Sequence, residues 1–172
     1  MENQFRKGGV LNIRDVSLSD IPQITEILNH YIIHDSCTFQ IEPYSVAKIS
    51  EKIAEITKVY PYIVMEEDNE VIGFAYASRW REKQAYDKSA ETTIYLNPQQ
   101  KHRGLGKILY QELIEQLRQK NFRLLVACLT LPNPSSVRLH ESLGFEKAGE
   151  FKDAGYKFNR WYNVGFWQKV LK

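Results

Sequence analysis

The sequence predicts an α+β domain, a mixed sheet with helices packed on its faces. Three observations predict it. Apolar residues recur at helical spacing in three separated stretches, and strand-like runs occupy the segments between them. One of those runs, "FRLLVACLTL" (122–131), is apolar almost throughout, as a strand covered on both faces is.

Each element has its own signal. "VLNIRDV" (10–16) is a short strand candidate with Val10, Ile13 and Val16 apolar. Ser19 is placed to cap the helix that follows, and Ile21, Ile24, Ile27, Leu28 and Tyr31 repeat along it. Ser45 caps a second helix with Val46, Ile49, Ile53 and Ile56 on one face. "YPYIVMEEDNEVIGFAYASRW" reads as a hairpin: Tyr62 to Met65, a polar turn, then Val71 to Trp80. "AETTIYLNP" is a strand rich in β-branched and aromatic residues that Pro98 ends. A long helix fits 104–120, with Leu105, Ile108, Leu109, Leu113 and Leu117 as its buried stripe. Asn133-Pro134 caps and starts a fourth helix, which closes on Gly144. "FEKAGEFKDAG" and "RWYNVGFWQKVL" are two final strands.

The 172 residues fit a single domain over 1–172, with residues 1–9, ending in "RKGG", as a loose extension. Basic residues (23) and acidic residues (21) are well mixed, for a net charge of +2, which leaves no electrostatic footprint for nucleic acid. Cys37 and Cys128 lie far apart without CxxC spacing, which argues against a structural zinc and for a reducing compartment. The N-terminus lacks the apolar run of a signal peptide, and no segment approaches the roughly 20 apolar residues needed to span a bilayer. The expectation is a soluble cytoplasmic protein with no metal and no membrane or nucleic-acid partner.

"PQQKHRGLGKIL" (98–109) puts two glycines and a basic cluster at the start of the long helix. Glycine costs about 0.8–1.0 kcal/mol relative to alanine inside a helix, so the pair needs a reason. A helix start offers unpaired N–H groups and about half a positive charge, together an anion site. Without side chains, Gly104 and Gly106 would let a phosphate reach those N–H groups, and Lys101, His102, Arg103 and Lys107 add charge around it. Both the P-loop and the three-glycine dinucleotide fingerprint fail here, because Ile108 follows Lys107 and residue 109 is Leu.

"KHRGLGKILYQELI" resembles the acyl-CoA loop of the GNAT acetyltransferase superfamily, whose pattern is Q/R-x-x-G-x-G/A. "RWREKQAYDKSAETTIYL" and "LTLPNPSSVRLHESLGFEKAGEFKDAGYKFNRWYNVGFWQ" resemble more narrowly the phosphinothricin and methionine sulfone/sulfoximine acetyltransferases, with a weaker likeness in "TFQIEP". The resemblance spans about residues 79–168 and implies a GNAT fold: a mixed, mostly antiparallel sheet with a splayed parallel strand pair and helices on both faces. It implies acetyl-CoA lying in the splayed gap, with backbone groups of Ile94, Tyr95 and Leu96 pairing to its pantetheine arm. The diphosphate would sit on N–H groups of His102, Arg103, Gly104, Leu105, Gly106 and Lys107. The sequence departs from the family at Lys101, where Gln or Arg is usual, and at Asn163, where the subfamily has Asp.

Acetyl transfer to an amine needs a base, because amines near neutral pH are mostly protonated. Glu91, at the start of the cofactor strand and at the acidic position of the subfamily motif, is the candidate, with an exposed strand-end carboxylate as the bland reading. Asn133 would hydrogen-bond near the acetyl end while still capping its helix. His140 stands where many members place a leaving-group Tyr, and its ordinary pKa near 6.5 suits an acid; a packed histidine is the rival reading. Cys128, in an apolar strand, reads as inert packing, so an acyl-cysteine route is set aside. For the substrate, the resemblance points to Phe39, Glu42, Arg79, Arg81 and Tyr86, and arginine suits an α-carboxylate because its planar fork donates two bonds at once. The aromatics Tyr156, Trp161, Tyr162, Phe166 and Trp167 are assigned to core or to a homodimer surface.

The expectation is therefore an N-acetyltransferase acting on the α-amine of a small amino-acid-like molecule. Other amines (a protein N-terminus, a polyamine, an aminoglycoside) and a non-catalytic acyl-CoA-binding module are the alternatives. A polyamine or aminoglycoside site should be rich in carboxylates, and the candidate loops carry arginines instead.

Overall fold

Short polar turns between apolar strands set the order of the first half of the sheet. The computed structural model describes residues 10–100 and 103–172, so the expected extension over 1–9 and the candidate ligand His102 lie outside the described residues. Seven strands form one sheet: β1 (Leu11–Asp15), β2 (Tyr62–Glu67), β3 (Glu70–Arg79), β4 (Ser89–Leu96), β5 (Leu124–Leu131), β6 (Glu146–Lys157) and β7 (Arg160–Val170). Their order is β1-β2-β3-β4-β5-β7-β6. Every neighbouring pair is antiparallel except β4 and β5, which run parallel. Asp68 and Asn69 turn β2 into β3 with φ of 53° and 67°, a left-handed pair that short polar side chains tolerate.

Strand alternation sorts the core into two halves. Tyr62 and Val64 of β2 and Phe74 of β3 face α1 (Ile21–His34) and α2 (Val46–Thr57), packing with Ile24, Ile49 and Ile53. Ile63, Met65, Ala75 and Leu125 face the other side, where α3 (Leu105–Gln119) contributes Leu109, Tyr110, Leu113 and Leu117. Val137 and Leu139 of α4 (Pro134–Ser142) pack against that second cluster.

Most local signals hold. Ser45 Oγ accepts from the Lys48 N–H at 3.2 Å, Asn133 Oδ1 accepts from the Ser136 N–H at 3.2 Å, and Gly144 closes α4 with φ of 79°. Three details differ from expectation. Ser19 does not cap α1: a 3-10 turn over 18–20 precedes that helix, and Asp20 accepts from the Ser17 N–H at 2.7 Å. Ile108 lies outside the α3 stripe, half exposed, and the fully buried Tyr110 fills the inner face in its place. Val46, in the first turn of α2, is likewise exposed.

Candidate active site

The parallel pair is short. β4 and β5 are in register only at Ser89–Leu124, Ala90–Leu125 and Glu91–Val126, whereas β3 pairs with β4 as far as Leu96 and β7 pairs with β5 as far as Leu131. The two strands therefore part beyond Glu91, and their facing backbone edges have no ladder partner among the described residues. Alternation tells which residues face the gap. Asn97 N–H donates to Ile72 of β3, and Lys88 accepts from Leu124 on the β5 side, so the even residues Thr92, Ile94 and Leu96 turn their amides toward the gap. Tyr95 turns its amide toward β3, opposite Phe74, and differs from the expectation that all of 94–96 would serve the gap. The Leu96 carbonyl is already engaged, accepting from the Tyr31 hydroxyl at 2.7 Å.

At the wide end of the gap stands the start of α3. Gly104 occupies its N-cap with φ of 74°, a left-handed conformation that L side chains resist, and no side chain caps the helix. The Lys107 N–H donates to the Gly104 carbonyl at 3.2 Å, and the N–H groups of Leu105 and Gly106 ahead of it are those a ligand could take. Gly106 serves a different end from the one expected. A Cβ there would point inward, meeting Leu96 at 3.4 Å and Leu139 at 3.5 Å in ordinary contact, so an added methyl would face β4 and α4 rather than a phosphate. The Arg103 guanidinium is bound sideways to both oxygens of Glu67, at 2.7 and 2.8 Å, which fixes the loop to the end of β2. Lys107 is exposed one turn into the helix.

Glu91 is half buried at the fork, with no hydrogen bond or ion pair to its carboxyl among the described residues; burial pushes it above the ordinary carboxylate value. On the same sheet face Cys128 is exposed, contrary to the packing expected of it, yet desolvation by the surrounding protein and the Glu91 charge push the thiol up to about 11. A thiol so placed stays protonated at neutral pH and is a poor nucleophile. Ser78, the register partner of Glu91 on β3, leads from the fork into a cavity of about 970 Å³ between this sheet face and α2. Thr38, Gln40, Tyr44, Tyr76 and Tyr95 line it, none of which the sequence singled out as substrate side chains. Tyr76 and Ser78 were within reach of strand alternation once Glu91 was chosen.

Behind the opposite face runs a buried polar chain. Thr92 Oγ1 lies 2.5 Å from the Tyr110 hydroxyl and 3.2 Å from the Val126 carbonyl; Tyr110 in turn lies 3.1 Å from His140 Nε2. His140 Nδ1 lies 2.7 Å from the Ser136 carbonyl, which can only accept, so Nδ1 carries the proton and Nε2 of the neutral ring accepts from Tyr110. His140 is 2 % exposed, and burial lowers its pKa, opposed by the Ser136 bond. A neutral imidazole so bonded has no proton to give at Nε2, so the acid part expected of His140 requires an imidazolium that burial opposes.

The remaining candidates scatter. The Phe39 ring lies flat over Gly155 and near Tyr162, Glu42 is exposed, and neither lines the cavity. Arg79 follows Ser78, with its guanidinium 3.8 Å from Glu82; Arg81 stacks on Trp80; Tyr86 is exposed in the loop before β4. Asn133 spends Oδ1 on its own helix, receiving Ser136 N–H and Ser135 hydroxyl. Among the described residues no group of three or more His, Cys, Asp or Glu could hold a metal ion, and no helix is long and apolar enough to cross a membrane.

Comparison with known proteins gives the same architecture. Residues 13–165 match the Acetyltransferase (GNAT) domain family. The chain is similar to a phosphinothricin N-acetyltransferase of Streptomyces viridochromogenes, 36% identical over 159 residues that cover 92% of this chain and 87% of that one. It is 31% identical over 162 residues to an L-methionine sulfoximine/L-methionine sulfone acetyltransferase of Salmonella typhimurium, with 94% and 95% covered. A crystal structure of a phosphinothricin acetyltransferase from Sinorhizobium meliloti in complex with acetyl-CoA superposes with a TM-score of 0.91 at 36% identity, covering 94% of this chain and 88% of that one.

Proposed function

From the premise that the chain belongs to the GNAT acetyltransferase family, we propose that it transfers an acetyl group from acetyl-CoA to the α-amine of a small amino-acid-like acceptor of the phosphinothricin, methionine sulfone or methionine sulfoximine type. The observation that carries this reading is the fork: β4 leaves β5 directly after Glu91, the gap opens toward the start of α3, and Glu91's register partner Ser78 lines a cavity on the same sheet face.

When bound, acetyl-CoA would supply a thioester whose carbonyl carbon an uncharged amine can attack; the C–S bond breaks, and the departing coenzyme A thiolate takes up the proton that the acylated nitrogen releases. The chain's residues do the rest. Amides of Ile94 and Leu96 on the gap edge receive the pantetheine arm, and N–H groups at Gly104, Leu105 and Gly106 receive the diphosphate. Gap-edge N–H groups also face the negative charge that develops on the carbonyl oxygen. Glu91 takes the ammonium proton through a water, and its raised pKa brings it closer to the operating range of a base. Asn133 keeps its amide N–H groups for the cofactor side. His140, through Tyr110 and Thr92, holds the floor of the gap rather than donating a proton itself. Arg79 and Arg81, at the end of β3 next to Glu91's partner Ser78, are the cations offered to the acceptor's carboxylate. The chain works as a homodimer, a reading supported by the exposed Phe151, Tyr156, Phe158 and Trp161 on the β6–β7 hairpin at the sheet edge.

The test is an acceptor screen read by thiol release from acetyl-CoA. It includes phosphinothricin, methionine sulfone, methionine sulfoximine, spermidine, an aminoglycoside and an N-terminal peptide. Turnover with the first three and not the others is expected. Turnover confined to spermidine or the aminoglycoside refutes the α-amino-acid assignment, and binding of acetyl-CoA without release to any amine points to a silent acyl-CoA module.

A further inference from the structure

The loop joining α1 to α2 has no regular secondary structure, yet two contacts from the far end of the chain tie it down. Lys157, the last residue of β6, is 5 % exposed. Its ammonium donates to the Asp35 carbonyl at 2.7 Å and to the Thr38 carbonyl at 2.8 Å, and it lies 5.0 Å from the centre of the Phe158 ring. Its hydrogen-bond partners are neutral carbonyls of the loop rather than a carboxylate. Two residues earlier in β6, Gly155 makes room for the Phe39 ring: a Cβ there would stand 2.2 Å from Phe39 Cζ. The loop is thus gripped on both sides of Thr38, by charge at 35 and 38 and by shape at 39. Thr38 and Gln40 are the loop residues on the cavity wall, and Thr38 Oγ1 accepts from the Gln40 N–H at 3.3 Å.

We propose that Lys157, together with the Phe39–Gly155 contact, is a positioning device for the acceptor: it pins the 35–40 loop to the last hairpin so that Thr38 and Gln40 stay on the wall of the acceptor cavity. The proposal rests on the acetyltransfer reading above, because that reading makes the cavity the acceptor site. Replacing the lysine by methionine fills similar space but leaves the Asp35 and Thr38 carbonyls without their donor, so a purely structural lysine would lower stability without moving the acceptor KM. A positioning lysine would move it.

The test compares Lys157→Met, Lys157→Arg and Phe39→Ala with the wild-type chain. Steady-state kinetics use methionine sulfone, methionine sulfoximine and phosphinothricin as acceptors, and amide hydrogen exchange follows residues 36–42. Losing the charged hydrogen bonds in Lys157→Met should raise the acceptor KM by roughly tenfold or more and speed exchange in the loop by a similar factor. The KM for acetyl-CoA should hold within about twofold of wild type, because Thr38 and Gln40 stand on the wall of the acceptor cavity, and Lys157→Arg should recover part of the loss. Unchanged loop exchange, or a loosened loop with unchanged acceptor KM, overturns the proposal. If Lys157→Met does not fold, Phe39→Ala must show the same split or the proposal falls. A wild-type chain that acetylates no amine at all refutes the acetyltransfer reading instead, and the exchange measurement still decides whether the clamp exists.

Discussion

Glu91 and Val126 form the last rung that β4 and β5 share, so the carboxyl stands where the sheet forks. Its register partner Ser78 lines the cavity, while the strand that carries Glu91 borders the gap. Glu91→Gln keeps the shape and removes the proton acceptor. Turnover at pH 7 should fall by about 10²- to 10⁴-fold, the usual contribution of a positioned base, while acetyl-CoA binding by calorimetry is unchanged. In the wild-type chain, burial raises the Glu91 pKa, so kcat/KM should climb with pH through a limb above the ordinary carboxylate value, and that limb should vanish in the variant. Unchanged turnover would remove Glu91 from the role.

Gly104 and Gly106 should part company under mutation. Gly104 has a φ of 74°, and a non-glycine residue in that region costs roughly 1–2 kcal/mol, which Gly104→Ala either spends or relieves by turning the first N–H groups away. Acetyl-CoA affinity measured by calorimetry should drop by about tenfold. In Gly106→Ala the new methyl would meet Leu96 and Leu139 at 3.4 and 3.5 Å, ordinary contact distances, and affinity should stay near wild type. Gly106→Leu, which drives a branched chain between α3, β4 and α4, should lose both stability and binding. Equal affinities across all three would dissolve the link between this helix start and the diphosphate.

How much of this was legible beforehand follows from how local each cause is. Asn133, Ser45 and Gly144 act within one helical turn, and their capping parts can be read directly from residue type and spacing. Glu91 was legible because the strand containing it has a clear signal. Thr38 and Gln40 were not, because they reach the cavity wall only through the α1–α2 loop. Tyr110 escaped because a 3.6-residue repeat through Leu105, Leu109, Leu113 and Leu117 admits either Ile108 or Tyr110 beside it; the choice is made by Thr92 and His140 on other elements. Asn163, where the resembled subfamily carries Asp, has a local explanation that sequence could not supply. Its Nδ2 donates to Glu150 at 2.7 Å while its Oδ1 accepts from the Asp153 N–H, and an aspartate would set two carboxylates against each other.

The buried Thr92–Tyr110–His140 chain makes stability depend on pH. Burial holds the His140 pKa below its ordinary value near 6.5, so between the two values the unfolded chain binds a proton that the folded chain does not. Stability to urea should therefore fall as pH drops below about 6.5, and His140→Gln should flatten that slope. Tyr110→Phe leaves His140 Nε2 a buried acceptor without a donor and should cost about 1–3 kcal/mol at pH 7. A variant as stable as wild type at pH 7 would mean that the hydroxyl does not hold the ring.

Far from the fork, Arg14 ties β1 to the start of α1 and to β2. Its guanidinium donates to both oxygens of Asp20 at 2.7 and 2.9 Å and to Glu66 at 2.6 Å, while Asp20 is 4 % exposed. Burial alone would raise the Asp20 pKa, but the Arg14 bond and those from the Ser17 N–H and hydroxyl outweigh it and hold the carboxyl below its ordinary value. A depressed carboxyl contributes stability that is complete above the unfolded value near 3.9 and is lost as pH falls through the lower folded value. Arg14→Met strands that buried charge. The cost should be about 3 kcal/mol, at the low end for breaking a buried pair because the arginine side chain is 33% exposed. Urea unfolding at pH 7 checks it, and adding Asp20→Asn should restore part of the loss, since the neutral amide no longer needs a cation. A double variant less stable than Arg14→Met alone would show that Asp20 is held by Ser17 and not by Arg14.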